Sequence, residues 1–129
     1  MDLQLKGKNA LVTGASYGLG FACAEALASE GASVAICSRN ATKLNEAVRQ
    51  IGLTTDSNVI GIAADLTKEP DLQCLIKDVE EQLGSIDILV LSTGHPPTWP
   101  FTKATDQQWQ EGIDLILRPP ILLCRALLD

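Results

Sequence analysis

The chain has few aromatic residues and no long apolar run. Aromatic residues make up 4% of its 129 residues, so any core must be built mainly from aliphatic side chains. Its longest apolar runs, such as residues 88–91 and 121–124, are far shorter than the roughly 20 residues that cross a bilayer. We therefore expect no membrane segment. With 46% hydrophobic and 20% charged residues, the composition is typical of a globular domain.

An excess of positive charge is also missing. Ten Lys and Arg residues face sixteen Asp and Glu residues, for a net charge of −6, and a nucleic-acid-binding face needs clustered basic residues. We therefore expect no nucleic-acid partner. Residues 1–6 lack the apolar core of a secretory signal. The chain contains no Cys-x-x-Cys spacing, which is the pattern that would indicate a metal site. These features predict a cytoplasmic protein with no metal and with buried free cysteines at Cys23, Cys37, Cys74 and Cys124.

Short apolar runs alternate with segments of helical periodicity. The runs predict strands at residues 9–13, 33–37, 58–63 and 86–91. Strands that are apolar almost throughout are typical of a parallel sheet covered by helices on both faces. Because crossovers between parallel strands are right-handed, the pattern predicts an α/β fold. We expect a Rossmann doubly wound parallel sheet with strand order 3-2-1-4.

The first two helices are predicted from apolar residues at helical spacing. The first would bury Leu19, Ala22, Cys23, Ala26 and Leu27. The second, over about residues 41–51, would bury Leu44, Ala47, Val48 and Ile51.

The later helices are predicted from their end signals. Thr67 is a candidate N-cap of the third helix, and Gly84 is its candidate end. Thr105 and Gln108 resemble a capping box for the last helix, which prolines at 119–120 should kink or break. The third helix would bury Leu72, Leu75, Ile76, Val79 and Leu83.

A glycine-rich loop, residues 13–20, lies between the first strand and the first helix. It reads Thr-Gly-Ala-Ser-Tyr-Gly-Leu-Gly. Glycines let the backbone N–H groups approach a pyrophosphate, and the start of the helix offers further unpaired donors. A glycine-rich turn without a ligand is the alternative interpretation, but the strand–loop–helix order favours a phosphate-binding loop.

The residues after the second strand indicate which nucleotide would bind. Folds that prefer NAD place Asp or Glu about 20 residues beyond the glycines to accept from the ribose 2′-hydroxyl. This chain has Ser38-Arg39-Asn40 there. A guanidinium suits a 2′-phosphate and has no acceptor atom, so NADP, as NADPH, is favoured over NAD. Arg39 as a solvated surface residue is the alternative.

Four segments together resemble the short-chain dehydrogenase/reductase family. They are the glycine loop, Ala64-Asp65-Leu66-Thr67, Leu91-Ser92-Thr93-Gly94 where the family has Asn-Asn-Ala-Gly, and the helical segment 109–117. The resemblance covers essentially the whole chain and is strongest to reductases of the 3-oxoacyl-carrier-protein reductase type. It implies that residues 1–129 form the NADP-binding half of a Rossmann fold and that the family's C-terminal catalytic portion is absent.

The resemblance also implies roles for particular residues. In the glycine loop it assigns cofactor contacts to Gly14, Ser16, Tyr17, Gly18, Leu19 and Gly20. It further assigns the 2′-phosphate to Ser38 and Arg39, the adenine to Asp65 and Leu66, and the nicotinamide ribose to Ser92, Thr93 and Gly94.

The family's catalytic residues have no counterpart here. Family members transfer a hydride between a carbonyl and an alcohol with a Tyr as general acid/base, a Lys four residues later and a Ser on the preceding strand. The one tyrosine, Tyr17, lies in the glycine loop and is followed four residues later by Phe21. We therefore expect an N-terminal, cofactor-binding fragment of an NADP-dependent oxidoreductase, inactive by itself. A non-catalytic NADP(H)-binding sensor or regulatory module is the alternative.

Further expectations concern the full-length protein. It would act on a small-molecule carbonyl or alcohol, which the sequence does not specify, and would form a homo-oligomer through a helix that includes the apolar run 121–123. Ile116 occupies the position of the family's water-holding Asn, so a proton relay would be altered. His95 is interpreted as a loop residue without a catalytic role. Trp99 and Phe101 would cover a substrate loop, and Trp109 would pack under the sheet.

Overall fold

Four parallel strands form a single sheet in the order β3-β2-β1-β4. The strands are β1 (Asn9–Val12), β2 (Ser33–Ser38), β3 (Val59–Ala63) and β4 (Ile88–Val90), in a computed structural model that describes residues 1–128. The predicted Rossmann fold and strand order are confirmed. In the register, Ala10 lies opposite Val34 on one side and Ile88 on the other.

Helices cover both faces of the sheet. They are α1 (Gly18–Ser29), α2 (Ala41–Thr54), α3 (Glu69–Leu83), α4 (Asp106–Gly112) and α5 (Arg118–Leu127). Successive strand residues point to opposite faces, so Val12 and Val34 pack with α1 and α2 while Leu11 and Ala35 pack with α3. Within residues 1–128, no helix combines the length and apolar character needed to cross a membrane.

The predicted buried stripe of α1 is wrong. The buried residues are Gly20, Ala24 and Ala28, whereas Leu19 is 84% exposed. Of the predicted stripe, Leu27 is half-buried, and Ala22, Cys23 and Ala26 are exposed. Gly20 and the two alanines have small side chains, so this face lets the helix axis lie close to the sheet.

The buried face of α2 is as predicted. Leu44, Ala47 and Ile51 are buried and Val48 packs against them, although the helix continues to Thr54. In α3 the predicted inward residues are buried or half-buried: Leu72, Leu75, Ile76, Val79 and Leu83.

The start of α3 differs from the prediction, and its end does not. Lys68, not Thr67, is the N-cap. Thr67 instead donates from its N–H and its hydroxyl to Asp65 Oδ1, at 3.1 and 2.6 Å. Gly84 ends the helix at a φ of +93°, a conformation that L residues rarely adopt.

The last helical segment begins as predicted and passes its prolines without breaking. Thr105 and Gln108 form the capping box of α4. A π-helical turn, Ile113–Leu117, then joins α4 to α5, and the N–H of Arg118 donates to the carbonyl of Ile113, five residues back. A π turn widens the helix directly before Pro119 and Pro120, whose rings would clash with carbonyls four residues back in a regular α-helix.

The prediction of four buried cysteines holds only for Cys37. Cys23 and Cys74 are exposed and Cys124 is half-buried. Cys23 is exposed because α1 buries a different face from the predicted one. The Cys37 thiol donates to the carbonyl of Ala64, and burial raises its pKa to about 12.

Trp109 does not pack under the sheet, so that prediction is also wrong. Its side chain is 49% exposed and meets Phe101 edge-to-face, with ring centroids 5.5 Å apart. Phe101 belongs to a short 3-10 helix, Phe101–Lys103. The two aromatic rings therefore join this segment to α4.

Candidate functional site

A groove of about 750 Å³ runs along the carboxyl edge of the sheet. The loops that follow all four strands line it, together with one residue of the π turn, Leu115. In doubly wound sheets, this edge is where ligands bind. The volume lies within the range of small-molecule and cofactor sites.

The loops after β1 and β4 are held together by one buried side chain. Thr13 is fully buried, and its hydroxyl donates to the carbonyl of Ser92 at 2.8 Å while accepting from the N–H of Ser92 at 3.1 Å. Its own N–H donates to the carbonyl of Val90. This pairing sets the spacing between the glycine loop and the Ser92-Thr93-Gly94 segment.

Two glycines of the loop have backbone conformations that favour glycine. Gly14 has a φ of +57°, and a Cβ there would stand 2.5 Å from the carbonyl oxygen of Ser92. Gly18 has a φ of +65°, with open space where a Cβ would be. Gly14 thus permits close packing of two loops, and Gly18 permits the turn into α1.

The start of α1 has the properties of an anion-binding site. Its N-cap, Tyr17, makes no side-chain capping bond, and the first turn holds no acidic residue. The first N–H groups of a helix lack intrahelical partners and carry the positive end of the helix dipole. A phosphate at this end of the groove would meet unpaired donors.

The start of α2 is ordered by two side-chain bonds. Ser38 Oγ accepts from the N–H of Asn40 at 3.2 Å, and Asn40 Oδ1 accepts from the N–H of Lys43 at 2.9 Å. Arg39, between them, reaches toward the loop after β4, with Nη2 4.0 Å from where a Cβ of Gly94 would stand. Both Arg39 and Lys43 line the groove.

Asp65, after β3, is the one carboxylate among the residues that line the groove. The hydrogen bond from the Thr67 hydroxyl holds the pKa of Asp65 below its ordinary value, with smaller contributions from the Thr67 N–H and the charges of Lys68 and Arg39. Asp65 is therefore ionised at neutral pH and can accept from an amino or hydroxyl group of a ligand.

The structure brings the sequence-predicted site residues together, with one exception. Gly14, Ser16, Tyr17, Gly18, Leu19, Ser38, Arg39, Asp65, Leu66, Ser92, Thr93 and Gly94 line the groove. Gly20 lies behind it, where a Cβ would come within 2.9 Å of the carbonyl carbon of Gly14. Its role is to let α1 lie against the loop.

Sequence reasoning missed several lining residues: Cys37, Asn40, Lys43, Ala64, Thr67 and Leu115. For Lys43 a signal exists, because Asn40 is an N-cap residue and the third residue after a cap lies in the first turn. Leu115 has no local signal, since it lies on the π turn and not in the loops that follow the strands.

The other residues singled out in the sequence are partly or largely exposed. His95 lines the groove and is exposed. Ile116, on the π turn, is 43% exposed. Trp99 and Phe101 are 52% and 80% exposed, so neither packs in the core. In the described residues, 1–128, no group of three His, Cys, Asp or Glu side chains is placed to hold a metal ion.

Comparison with known protein families identifies the family of this chain. The family model for short chain dehydrogenases matches residues 8–129. The chain belongs to the short chain dehydrogenase family. Short chain dehydrogenases are oxidoreductases that bind a nicotinamide cofactor.

Individual relatives agree with this assignment. An uncharacterized oxidoreductase of Staphylococcus epidermidis is 35% identical over 97% of this chain and 53% of its own length. A hydroxynaphthalene reductase of Aspergillus fumigatus is 35% identical over 98% of this chain and 46% of its own length. The chain therefore spans about half the length of the curated relatives it matches.

A solved structure is similar over nearly the whole chain. L-sorbose reductase from Gluconobacter frateurii, complexed with NADPH and L-sorbose, superposes with a TM-score of 0.94. The two sequences are 31% identical, and the match covers 99% of this chain and 49% of that one.

Proposed function

We propose that this chain is the NADP(H)-binding part of a short-chain oxidoreductase that interconverts a carbonyl and an alcohol. The observation that carries the proposal is the convergence of three features on one groove. They are a glycine loop, the uncapped start of α1, and the cationic side chains of Arg39 and Lys43. Together they offer backbone donors to a pyrophosphate and positive charge to a further phosphate.

The choice of NADP(H) over NAD(H) rests on the loop after β2. Recognition of a free ribose 2′-hydroxyl uses a carboxylate at this point, and the residues here are Ser38, Arg39 and Asn40. A guanidinium pairs well with phosphate. NADPH in the complex of L-sorbose reductase is consistent with this choice.

Within the proposal, the chain's own residues bind and orient. The first turn of α1 and the glycine loop hold the pyrophosphate, and Asp65 accepts from the adenine amino group. Ser92, Thr93 and Gly94, after β4, border the nicotinamide ribose, and Thr13 keeps them at a set distance from the glycine loop. The bound cofactor supplies a hydride. The general acid/base would come from residues outside this chain.

Titration calorimetry with NADPH and NADH tests the proposal. We expect saturable binding of both, with NADPH bound at least about tenfold more tightly, which corresponds to about 1.4 kcal/mol. Arg39→Gln should reduce this preference by weakening NADPH binding alone. Equal affinity for the two cofactors would contradict the NADP preference, and no saturable binding would contradict the proposed function as a whole.

A non-catalytic NADP(H)-binding module is the second candidate function. Its requirement is met within these 129 residues, whose single tyrosine, Tyr17, lies in the glycine loop without a lysine four residues later. The reading frame beyond Asp129 distinguishes the two candidates. A downstream Ser and Tyr-x-x-x-Lys supports the oxidoreductase, and a frame without them supports the module.

Two further parts of the proposal concern location and assembly. A cytoplasmic location is supported by free thiols at all four cysteines, which suit a reducing compartment.

A homo-oligomer of the full-length protein is supported by an exposed apolar row on the last helical segment. Ile113, Leu117 and Ile121, four residues apart, are 43%, 55% and 53% exposed.

A further inference from the structure

An ion pair joins the start of α3 to the start of α5. Arg118 Nη2 donates to Glu69 Oε2 at 3.1 Å, and both side chains are about half exposed. The two residues are 49 positions apart in the sequence. Each is the first residue of its helix, so the contact connects the beginnings of two elements that the chain itself does not place side by side.

The π turn lies on one side of this ion pair. Arg118 follows directly after Ile113–Leu117, and its N–H donates to the carbonyl of Ile113. Leu115, in the middle of the turn, lines the groove, and its two methyl carbons lie 3.9 Å from where a Cβ of Gly94 would stand. A bond that holds the Arg118 side chain therefore also holds the turn that carries Leu115.

The loop after β3 lies on the other side of the ion pair. The N–H of Asp65 donates to Asp71 Oδ2, in the first turn of α3, at 2.9 Å. The carbonyl of Asp65 accepts from the N–H of Lys68, the N-cap of the same helix, also at 2.9 Å. Both bonds tie Asp65 to the start of α3, where Glu69 is the first residue.

Leu115 and the loop after β3 meet at one end of the groove. A smaller cavity of about 350 Å³ adjoins the groove there, and both are lined by Arg39, Thr67 and Leu115. Leu115 therefore stands beside the loop to which the proposed function assigns the adenine. An apolar side chain suits contact with the face of a purine ring, and the separation of the two walls determines how well a flat ring fits between them.

We propose that the Arg118–Glu69 ion pair positions Leu115 as a wall of the adenine site. The inference rests on the proposed function and adds two positioning residues to it. Neither Arg118 nor Glu69 is among the residues that line the groove, so both act through the elements that they hold. Because a half-exposed ion pair contributes little energy, its effect on adenine binding should be small and confined to that end of the groove.

Two halves of the cofactor separate the adenine end of the groove from the rest. The nucleotide 5′-AMP carries the adenine and reduced nicotinamide mononucleotide does not, and each can be titrated into the 129-residue chain and followed by NMR. We expect Glu69→Gln and Arg118→Gln each to weaken binding of 5′-AMP by about two- to threefold and to leave binding of the nicotinamide mononucleotide unchanged. Arg118→Lys, which keeps the charge, should bind 5′-AMP more tightly than Arg118→Gln does.

Two further variants separate the ion pair from a general effect of charge. The double variant Glu69→Gln/Arg118→Gln should lose no more affinity for 5′-AMP than either single variant, because each change removes the same contact. Glu81→Gln breaks another exposed ion pair of α3, with Lys77, and should leave both affinities unchanged.

The methyl resonances of Leu115 report on its position directly. Saturating 5′-AMP should shift them in the wild-type chain, because an aromatic ring then lies against the side chain. The shift should be smaller in Glu69→Gln and in Arg118→Gln, and equal to that of the wild type in Glu81→Gln. A loss of stability that leaves Leu115 in place would not change the shift at saturation.

The outcomes distinguish failure of this inference from failure of the proposed function. A wild-type chain that binds NADPH, with unchanged affinity for 5′-AMP in both single variants, would overturn the role of the ion pair and leave the proposed function standing. Equal losses for 5′-AMP and the nicotinamide mononucleotide, or an equal loss in Glu81→Gln, would also overturn it. A wild-type chain that binds NADPH but not 5′-AMP would overturn this inference alone, and one that binds neither would overturn the proposed function with it.

Discussion

At the scale of single residues, the site depends on how closely the loops after β1 and β4 approach. The Thr13 hydroxyl exchanges two hydrogen bonds with the backbone of Ser92, and Gly14 presents no side chain to the same carbonyl. Thr13 and Gly14 are both needed, because the two hydrogen bonds require the loops after β1 and β4 to lie closer together than a Cβ at residue 14 would allow.

Gly14→Ala should therefore lower the free energy of unfolding by about 1–3 kcal/mol, from a positive φ and overlap with Ser92. Gly52→Ala is the matched control, since Gly52 lies within α2 with open space at its Cβ position. This control should raise stability by up to about 1 kcal/mol. Urea unfolding measures both. Equal stability of Gly14→Ala and the wild type would contradict the close packing of Gly14 against the carbonyl of Ser92.

Asp65 gives a prediction about acid stability. Its folded-state pKa is lowered, so it adds stability above its unfolded pKa, and this stability is lost as the pH falls through the folded pKa. Thr67→Ala should move the pKa of Asp65 back toward its ordinary value and make the loss of stability below about pH 4 shallower. Thr67→Ser, which keeps the hydroxyl, should behave like the wild type. An NMR titration of the Asp65 carboxyl measures the shift directly, and an unchanged pKa in Thr67→Ala would refute the assignment.

Residues that act through local chemistry could be predicted from the sequence, and those brought in by packing could not. The glycines, Arg39 and Asp65 follow strand ends in recognisable order, so their place at one edge follows from a parallel sheet. Leu115 reaches the groove from another element. No periodicity or spacing near residue 115 encodes that contact.

At the scale of elements, the π turn that follows α4 (Asp106–Gly112) brings Leu115 to the groove. The first N–H groups of this helical segment have no intrahelical partners, so its start depends on the cap. Thr105 Oγ1 accepts from the N–H of Gln108, and Gln108 Oε1 accepts from the N–H of Thr105. These reciprocal bonds define the direction in which the helix leaves the 3-10 segment.

Thr105→Ala should destabilise α4 by about 1 kcal/mol and speed amide hydrogen exchange at Gln108. Thr105→Asp, which keeps a capping oxygen, should exchange as slowly as the wild type. Thr102→Ala alters an exposed threonine that caps no helix and serves as the neutral control. Exchange followed by NMR provides the measurement. Unchanged protection in Thr105→Ala would mean that packing alone holds α4.

The two helices of similar length, α1 and α2, show when periodicity predicts a buried face. In α2, charged and amide side chains mark the outer face, so the apolar residues identify the inner one. In α1 small apolar residues occur on every side, and the pattern fits more than one face. The buried face of α1 is then determined by its close approach to the glycine loop, because only Gly20 permits that approach.

At the scale of the whole molecule, a ligand that binds only the folded state raises its stability. At about one hundred times its dissociation constant, NADPH should add about 2.7 kcal/mol and raise the melting temperature by roughly 5–10 °C. NADH at the same concentration should raise it less. Thermal unfolding followed by circular dichroism measures both. An NADPH concentration series without a shift would contradict binding to the folded chain.

The order of the strands could be predicted because each strand is apolar throughout and each crossover has one allowed hand. The path after β4 could not. Prolines at 119 and 120 predict an interruption of the last helix, whereas the chain continues through a π turn. The sequence shows directly that Pro119 and Pro120 lack N–H donors. How the helix continues past them depends on the conformation of the five preceding residues, which form the π turn.

The π turn and the two prolines constrain which insertions and deletions this helix can accept. A π turn contains one residue more than an α-helical turn. In a chain without Pro119 and Pro120, one residue of Ile113–Leu117 could be deleted. Residues 118–127 would then keep their helical phase, with Leu123 still facing inward. With both prolines present, the same deletion would drive their rings into the carbonyls of the preceding turn. The extra residue can therefore be lost only from a chain in which both prolines have been replaced.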